Sequence, residues 1–166
     1  MDVHEIVDRV SGWEGVLALR PTAGDGSPEI SWGDVFFYVA PDGQVPSGQP
    51  FATIITKDHP GEPSAGLDRP GSFRVNIAAR PVGGSIATGA GGAVDPRTPD
   101  LLMPHPVYAE QGWVAVVDPQ ERTRDQVVTL LRAAHGAALT RWRRRHADPG
   151  PDEPVPVVGQ PDEEPT

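Results

Sequence analysis

The sequence has no cysteine, only one lysine (Lys57) and no long apolar run. Without cysteine, disulfide bonds and thiolate metal sites are excluded. No apolar run approaches the roughly 20 residues that a membrane-spanning helix needs, and the early acids Asp2 and Glu5 argue against a signal peptide. We therefore expect a cytoplasmic protein with no membrane partner. Abundant Ala, Gly, Pro and Arg indicate a GC-rich bacterial genome.

Familiar catalytic and metal-binding patterns are absent as well. No G-x-S-x-G motif presents a nucleophile, and no two histidines have the H-x-x-x-H spacing of a metal site. The glycines within 22–29 and 81–99 match neither a Walker motif nor a dinucleotide fingerprint. We expect no metal and no cofactor, assign no catalytic residue, and favour a protein that is not an enzyme.

The net charge of −9 is unevenly distributed along the chain. Residues 147–166 hold six acids and no base. Residues 1–146 therefore hold 17 of the 23 acids and all 14 bases, a net charge of about −3. Residues 147–166 are rich in proline and poor in large apolar groups, and such a segment cannot bury enough surface to become ordered. We predict one domain over 1–146 and a disordered acidic tail over 147–166.

Two segments have the periodicity of amphipathic helices. In the first, Asp2 and Glu5 have the spacing of a capping box, apolar residues from Val3 to Val10 share one face, and Gly12 follows as a stop. The second runs to the arginines around Trp142 and keeps its apolar residues on one face for four turns. Its start, 123–126, is predicted to be a second capping box.

Alternating or continuous apolar residues predict about five strands, over 16–20, 30–39, 51–56, 72–78 and 113–117. The strand 30–39 is the longest, with a bulge expected at Gly33. In 72–78, Phe73, Val75 and Ile77 point towards the core, so Arg74 and Asn76 share the opposite face. The economical arrangement is an α+β two-layer sandwich: an antiparallel sheet with the N-terminal and C-terminal helices on one face. The segment 81–99 is predicted to be a glycine-rich loop.

His105 stands between Pro104 and Pro106, three residues before Tyr108. The prolines fix their own φ and push the residue before each of them towards an extended conformation, so His105 lies in a stiff loop that enters a strand. A structural histidine bonded to a loop carbonyl is the commoner outcome for such a residue. A role towards a ligand stays open.

The candidate ligand-binding residues are polar or aromatic and are expected on or beside one sheet face: Trp32, Asp34, Lys57, Arg74, Asn76, His105, Tyr108 and Trp113. Arg74 and Lys57 would favour a small anionic ligand, and Trp32 and Trp113 could flank a flat one. We therefore expect a binding or accessory module, as a monomer or homodimer. The alternative is a small enzyme that uses His105 and Tyr108, with His59 as a further candidate.

A second candidate surface is the basic end of the last helix, formed by Arg141, Trp142, Arg143, Arg144 and Arg145. Cations there complement the helix dipole without any ligand. They could also hold an anion or a nucleic-acid backbone, which needs several Lys and Arg contacts. The acidic tail begins beside them and would compete, so nucleic-acid binding is disfavoured.

Several motifs together resemble a bacterial family known only as a domain of unknown function, DUF6194; they lie at 24–30, 32–34, 51–54, 57–58, 73–76, 104–108 and 112–114. The resemblance covers about residues 1–146 and implies no activity. More remotely, the order of strands, the proline-rich segment and the closing helix are similar to MmcQ/YjbR-like proteins. That similarity implies a frataxin-like α+β fold and a DNA-binding surface. The glycine-rich 81–99 and the acidic composition depart from that pattern.

Overall fold

Six strands and two α-helices form the regular structure of residues 1–79 and 94–147, the part of the chain that the computed structural model describes. In chain order they are α1 (Val3–Ser11), β1 (Val16–Leu19), β2 (Val35–Val39), β3 (Ala52–Ile55), β4 (Arg74–Ala78), β5 (Met103–Pro104), β6 (Trp113–Val117) and α2 (Arg124–Arg145). Short 3-10 helices span Glu29–Ser31 and Ala109–Gln111.

The strands form one antiparallel sheet in the order β1-β2-β3-β4-β6-β5. Five of them correspond to predicted strands. The sixth, β5, pairs only Met103 and Pro104 with the edge of β6, and its two residues are too few to give a periodic pattern. The predicted α+β sandwich is confirmed.

Both helices pack on the same face of the sheet, as predicted. Ile6, Val7 and Val10 of α1 are buried there with Val127, Leu130, Leu131 and Ala134 of α2. The sheet contributes the alternate residues of its central strands, among them Phe37, Val75, Ile77 and Val116. The opposite face, which we call the open face, therefore carries neither of the two described α-helices.

The first predicted capping box is confirmed in part and the second is wrong. Asp2 Oδ1 accepts a hydrogen bond from the Glu5 amide at 2.8 Å and begins α1. At the start of α2, Thr123 makes no such bond with the helix. Its hydroxyl donates instead to Asp100, whose carboxylate also accepts from the amides of Gln120, Arg122 and Thr123 at 2.8–3.1 Å. A carboxylate 23 residues away in sequence from Thr123 therefore fixes the residues that lead into α2.

The long strand predicted over 30–39 is shorter in the structure. The 3-10 helix Glu29–Ser31 takes its first residues, and β2 starts only at Val35. Gly33 adopts φ +85°, a left-handed conformation that turns the chain, and is not a strand bulge. The turn places Asp34 at the entrance of β2, completely buried.

Two predictions concern segments outside the described residues. Most of the glycine-rich loop predicted over 81–99 falls in 80–93, and the acidic tail, apart from Ala147, falls in 148–166. In the part that the structure describes, no helix combines the length and apolarity needed to cross a membrane.

Candidate ligand-binding site

The open face of the sheet carries a row of side chains set by strand register. Phe36 pairs with Thr53, and Thr53 pairs with Asn76, so these three lie side by side across β2, β3 and β4. Arg74 lies two residues from Asn76 and therefore on the same face. The predicted Arg74–Asn76 couple is thus on the predicted face. Both residues are only 4% exposed, however, because two loops cover them.

The first covering loop, residues 57–72, is organised by Asp58. The carboxylate accepts hydrogen bonds from the hydroxyl of Ser64 at 2.6 Å and from the amide of Ala65 at 2.9 Å, with longer contacts to the next two amides. Although burial raises the pKa of Asp58, these hydrogen bonds outweigh it and lower that pKa below its usual value. The loop is also fixed by a second apolar cluster on the open face: Ile55, Ala65, Leu67 and Val117.

The second covering loop, residues 104–112, holds His105 by its backbone neighbours. His105 Nδ1 accepts from the amides of Val107 and Tyr108, both at 3.1 Å, and its own amide donates to the Trp113 carbonyl at 2.9 Å. The predicted structural partner of the ring was a loop carbonyl, whereas Nδ1 is bonded to two amides. Since Nδ1 is an acceptor, the proton of the neutral ring lies on Nε2.

His105 is neutral at pH 7. Burial, reinforced by the positive charge of Arg74, lowers its pKa to about 4, and the negative charge of Glu62 opposes this only in part. His105 is 2% exposed, and the ring of the more exposed Tyr108 lies 4.9 Å from the His105 ring between centroids.

Between the two loops and the sheet lies a cavity of about 290 Å³. Its polar lining consists of Gln49, Thr53, His59, Glu62, Arg74, Asn76 and His105. Its aromatic lining consists of Phe36, Tyr38, Tyr108 and Trp113. A small cavity with aromatic walls and a few convergent polar groups is typical of a small-molecule site.

The charges around the cavity are nearly balanced. Arg74 Nη2 donates to Glu62 Oε2 at 2.8 Å, and this ion pair is largely buried. His59 Nε2 lies 3.1 Å from Asp34 Oδ2. Asp34 Oδ1 in turn accepts from the amide and hydroxyl of Thr56 at 2.8 and 3.0 Å. These contacts hold His59 at the wall of the cavity.

Two buried side-chain atoms have no hydrogen-bond partner among the described residues, Arg74 Nε and Asn76 Oδ1. The other end of the Asn76 amide is satisfied, because Nδ2 donates to Thr53 Oγ1 at 3.0 Å. A buried polar atom without a partner costs about 1–3 kcal/mol, and native proteins contain few of them. Both atoms belong to residues that line the cavity.

Five of the eight residues predicted for the ligand site line this cavity: Arg74, Asn76, His105, Tyr108 and Trp113. Asp34 is not in the lining, but it contacts His59, which is. Lys57 and Trp32 contact each other instead, because Lys57 Nζ donates to the Trp32 carbonyl, while the Trp32 indole donates to the carbonyl of Ser27 at 3.2 Å. Of the two cations expected beside the ligand, only Arg74 lies in the lining.

Sequence reasoning missed Phe36, Tyr38, Thr53 and Glu62 in the lining. Phe36 and Thr53 could have been found by pairing β2 and β3 and reading which side chains share a face with Asn76. Glu62 lies in a polar loop with no pattern, and no sequence signal points to its contact with Arg74.

The basic end of α2 does not present its five residues as one surface. Arg143 pairs with Glu14 at 2.5 Å. Trp142 packs against the core and stacks on His146 at 4.3 Å between ring centroids. Arg141 and Arg145 line a second cavity of about 350 Å³ beside the first, and Arg144 is exposed.

The fold and the cavity together describe a small α+β protein with a buried polar site on the open face of its sheet. The chain belongs to the Family of unknown function (DUF6194), whose family model matches residues 1–147. Searches of curated proteins and of solved structures found no match. Among residues 1–79 and 94–147, no three His, Asp or Glu side chains converge as metal ligands.

Proposed function

We propose that this protein is a non-catalytic binding or accessory module that holds a small polar ligand in the cavity on the open face. The observation that carries this proposal is the pair of buried atoms, Arg74 Nε and Asn76 Oδ1, which lack partners within the described structure. A ligand that bonds to both would remove a cost that the folded protein otherwise bears. Arg74 is the group in the lining suited to an acceptor or an anionic group.

The rigidity of the walls supports binding by a preformed site. Hydrogen bonds to the Asp58 carboxylate hold one covering loop in shape, and the amides of Val107 and Tyr108 fix His105 in the other loop. A site with fixed polar groups loses little conformational entropy when the ligand enters.

An enzyme is the second candidate, favoured by one observation. Asp34 is completely buried and holds His59 by a 3.1 Å contact, an arrangement that can orient a histidine as a general base. His105 is less suited to that role, since Nδ1 is occupied by two amides. Catalysis would be indicated by a ligand whose mass changes after incubation with the wild type. The mass of the same ligand should stay unchanged with His59→Gln.

Nucleic-acid binding of the YjbR-like kind has weaker support. Arg141 and Arg145 make no ion pair within the described residues and lie one helical turn apart. With the exposed Arg144 they give three cations at this helix end, which is few for a phosphate backbone, and Arg143 is already paired with Glu14. A bacterial, cytoplasmic protein remains our proposal on the composition of the chain.

A fragment screen by NMR tests the proposed function. Full-length protein labelled with ¹⁵N is titrated with single-ring polar fragments, and the Arg74 Nε–H, Asn76 amide and Trp113 indole signals are followed. We expect some fragments to shift these signals in the wild type and in Lys57→Met, whose side chain points outside the cavity lining. In Arg74→Met the Asn76 and Trp113 signals should no longer shift. Fragments that bind only elsewhere, or none that binds, would refute the proposal.

A further inference from the structure

We infer that the ligand presents to β4 an edge with a hydrogen-bond acceptor beside an N–H donor, as in an aromatic carboxamide or a lactam ring. This inference rests on the proposed function and names the chemical class of the ligand. It departs from the small anion that the sequence favours. It depends on the polarity of the two unpartnered atoms and on the charge of the lining.

The two atoms have opposite hydrogen-bonding character. Arg74 Nε carries a proton and can only donate, whereas Asn76 Oδ1 can only accept. The two residues project from the same face of β4 and are about 7 Å apart along the strand. A ligand that satisfies both must accept at one point of its edge and donate at a neighbouring point.

A carboxylate satisfies only half of this requirement. It can accept from Arg74, but it would turn lone pairs towards Asn76 Oδ1, which stays without a donor. Removing a charge from water is costly unless an opposite charge compensates it. In this cavity the charge of Arg74 is already compensated by Glu62 at 2.8 Å, and His105 is neutral.

The aromatic lining adds a shape requirement. Phe36, Tyr38, Tyr108 and Trp113 border the cavity, and aromatic side chains pack well against the faces of other flat rings. The volume of about 290 Å³ is at the lower limit for small-molecule sites. A single planar ring with its amide edge towards Arg74 and Asn76 fits both the aromatic lining and the small volume.

Matched pairs of amide and acid test this inference on the full-length protein. Benzamide and benzoate differ only in whether an N–H donor or a second charged oxygen stands beside the acceptor, and nicotinamide with nicotinate forms a second pair. At neutral pH, titrations followed by NMR should give at least about tenfold tighter binding of each amide. In Asn76→Leu the preference should shrink by at least about threefold, because the acceptor is lost while the cost of removing the charged acid from water stays. Lys57→Met should keep it.

The outcomes separate this inference from the proposed function. Acids that bind the cavity as tightly as the amides would overturn the inference and leave a small-ligand site; they would mean that Asn76 turns Nδ2, a donor, to the ligand. Other fragments that bind the cavity while neither amide does would overturn it too. If no fragment shifts the Arg74, Asn76 or Trp113 signals, the proposed function itself fails. Melting temperatures near the wild-type value for the variants would show that they fold.

Discussion

At the scale of single residues, the net charge of the cavity lining depends on the ion pair of Arg74 and on the uncharged state of His105. Arg74 has an acid partner in Glu62, whose carboxylate lies 2.8 Å from Nη2. His105 stays uncharged because it is buried next to that arginine. Neither the ion pair of Arg74 nor the uncharged state of His105 can be predicted from residue type alone. An arginine and a histidine would each be expected to attract an anion.

Removing the acid should change which ligands bind. In Glu62→Gln the charge of Arg74 is no longer compensated, so the affinity of benzoate should rise by about threefold to tenfold relative to wild type, with benzamide changing less. Titration of both probes with wild type and variant measures this. Glu121→Gln, a change at an exposed glutamate outside the cavity lining, is the control. An equal change for both probes would contradict the assigned charge balance.

The buried neutral His105 should make stability depend on pH. Its pKa in the folded protein is about 4, below the ordinary value of 6.5. Between these values the unfolded chain binds a proton at this position and the folded chain does not, so the free energy of unfolding falls as pH falls through this window. Between pH 7 and pH 4.5 the free energy of unfolding of His105→Asn should fall by about 2 kcal/mol less than that of the wild type.

Urea unfolding at several pH values measures this difference between His105→Asn and wild type. Asn can still accept from the two loop amides through its side-chain oxygen, so the loop keeps its hydrogen bonds. His4→Asn, at an exposed histidine of α1, is the control and should follow the wild-type curve. Parallel curves for His105→Asn and wild type would show that His105 protonates freely in the folded state.

At the scale of elements, the cavity exists because loop 57–72 is held over the open face. Asp58 provides a hydrogen-bonded centre for the loop, and Ala65 and Leu67 pack with Ile55 and Val117 of the sheet. The loop carries Glu62 and His59 to the cavity wall. Its position is therefore a condition for the site, although the loop has no helix or strand of its own.

Asp58→Ala should loosen this loop. The loss of hydrogen bonds to the Ser64 hydroxyl and to three backbone amides, from Ala65 to Leu67, should cost about 2–3 kcal/mol. Hydrogen exchange at those three amides should become at least about tenfold faster. Asp68→Ala changes an exposed aspartate of the same loop and should leave exchange and stability unchanged. Similar exchange in both variants would show that apolar packing alone holds the loop.

At the scale of the whole molecule, the sheet and both helices lie within residues 1–147, the range that the family model also matches. The main core is formed by residues from α1, the sheet and α2. The remaining residues, 148–166, carry six acids and no base.

A chain that ends at Ala147 should therefore fold like the full chain. Its melting temperature should stay within about 2 °C of the full-length value, and its amide–acid preference should be unchanged. Calorimetry and the same NMR titrations test this at one ionic strength. A melting temperature lower by more than about 5 °C would mean that 148–166 contribute to the folded core. A changed preference would mean that they reach the cavity.

Periodic segments were predicted well and irregular ones poorly. The helical spacing of Ile6, Val7 and Val10 and the alternation of Phe73, Val75 and Ile77 each matched a buried face. The strand predicted to start at Ile30 failed because a 3-10 helix and the left-handed Gly33 interrupt it. The second capping box failed because Asp100, distant in sequence, bonds to the residues that precede α2.

The sequence by itself determined the two-layer architecture and the face on which Arg74 and Asn76 lie, because helix and strand periods are local properties of the chain. It also pointed to five of the residues in the cavity lining. Only the tertiary structure decided that Lys57 turns to the Trp32 carbonyl, that Glu62 neutralises Arg74 and that two polar atoms stay unpartnered. Those contacts join residues 12 to 25 positions apart through irregular loops, where no repeating pattern records which side chains will meet.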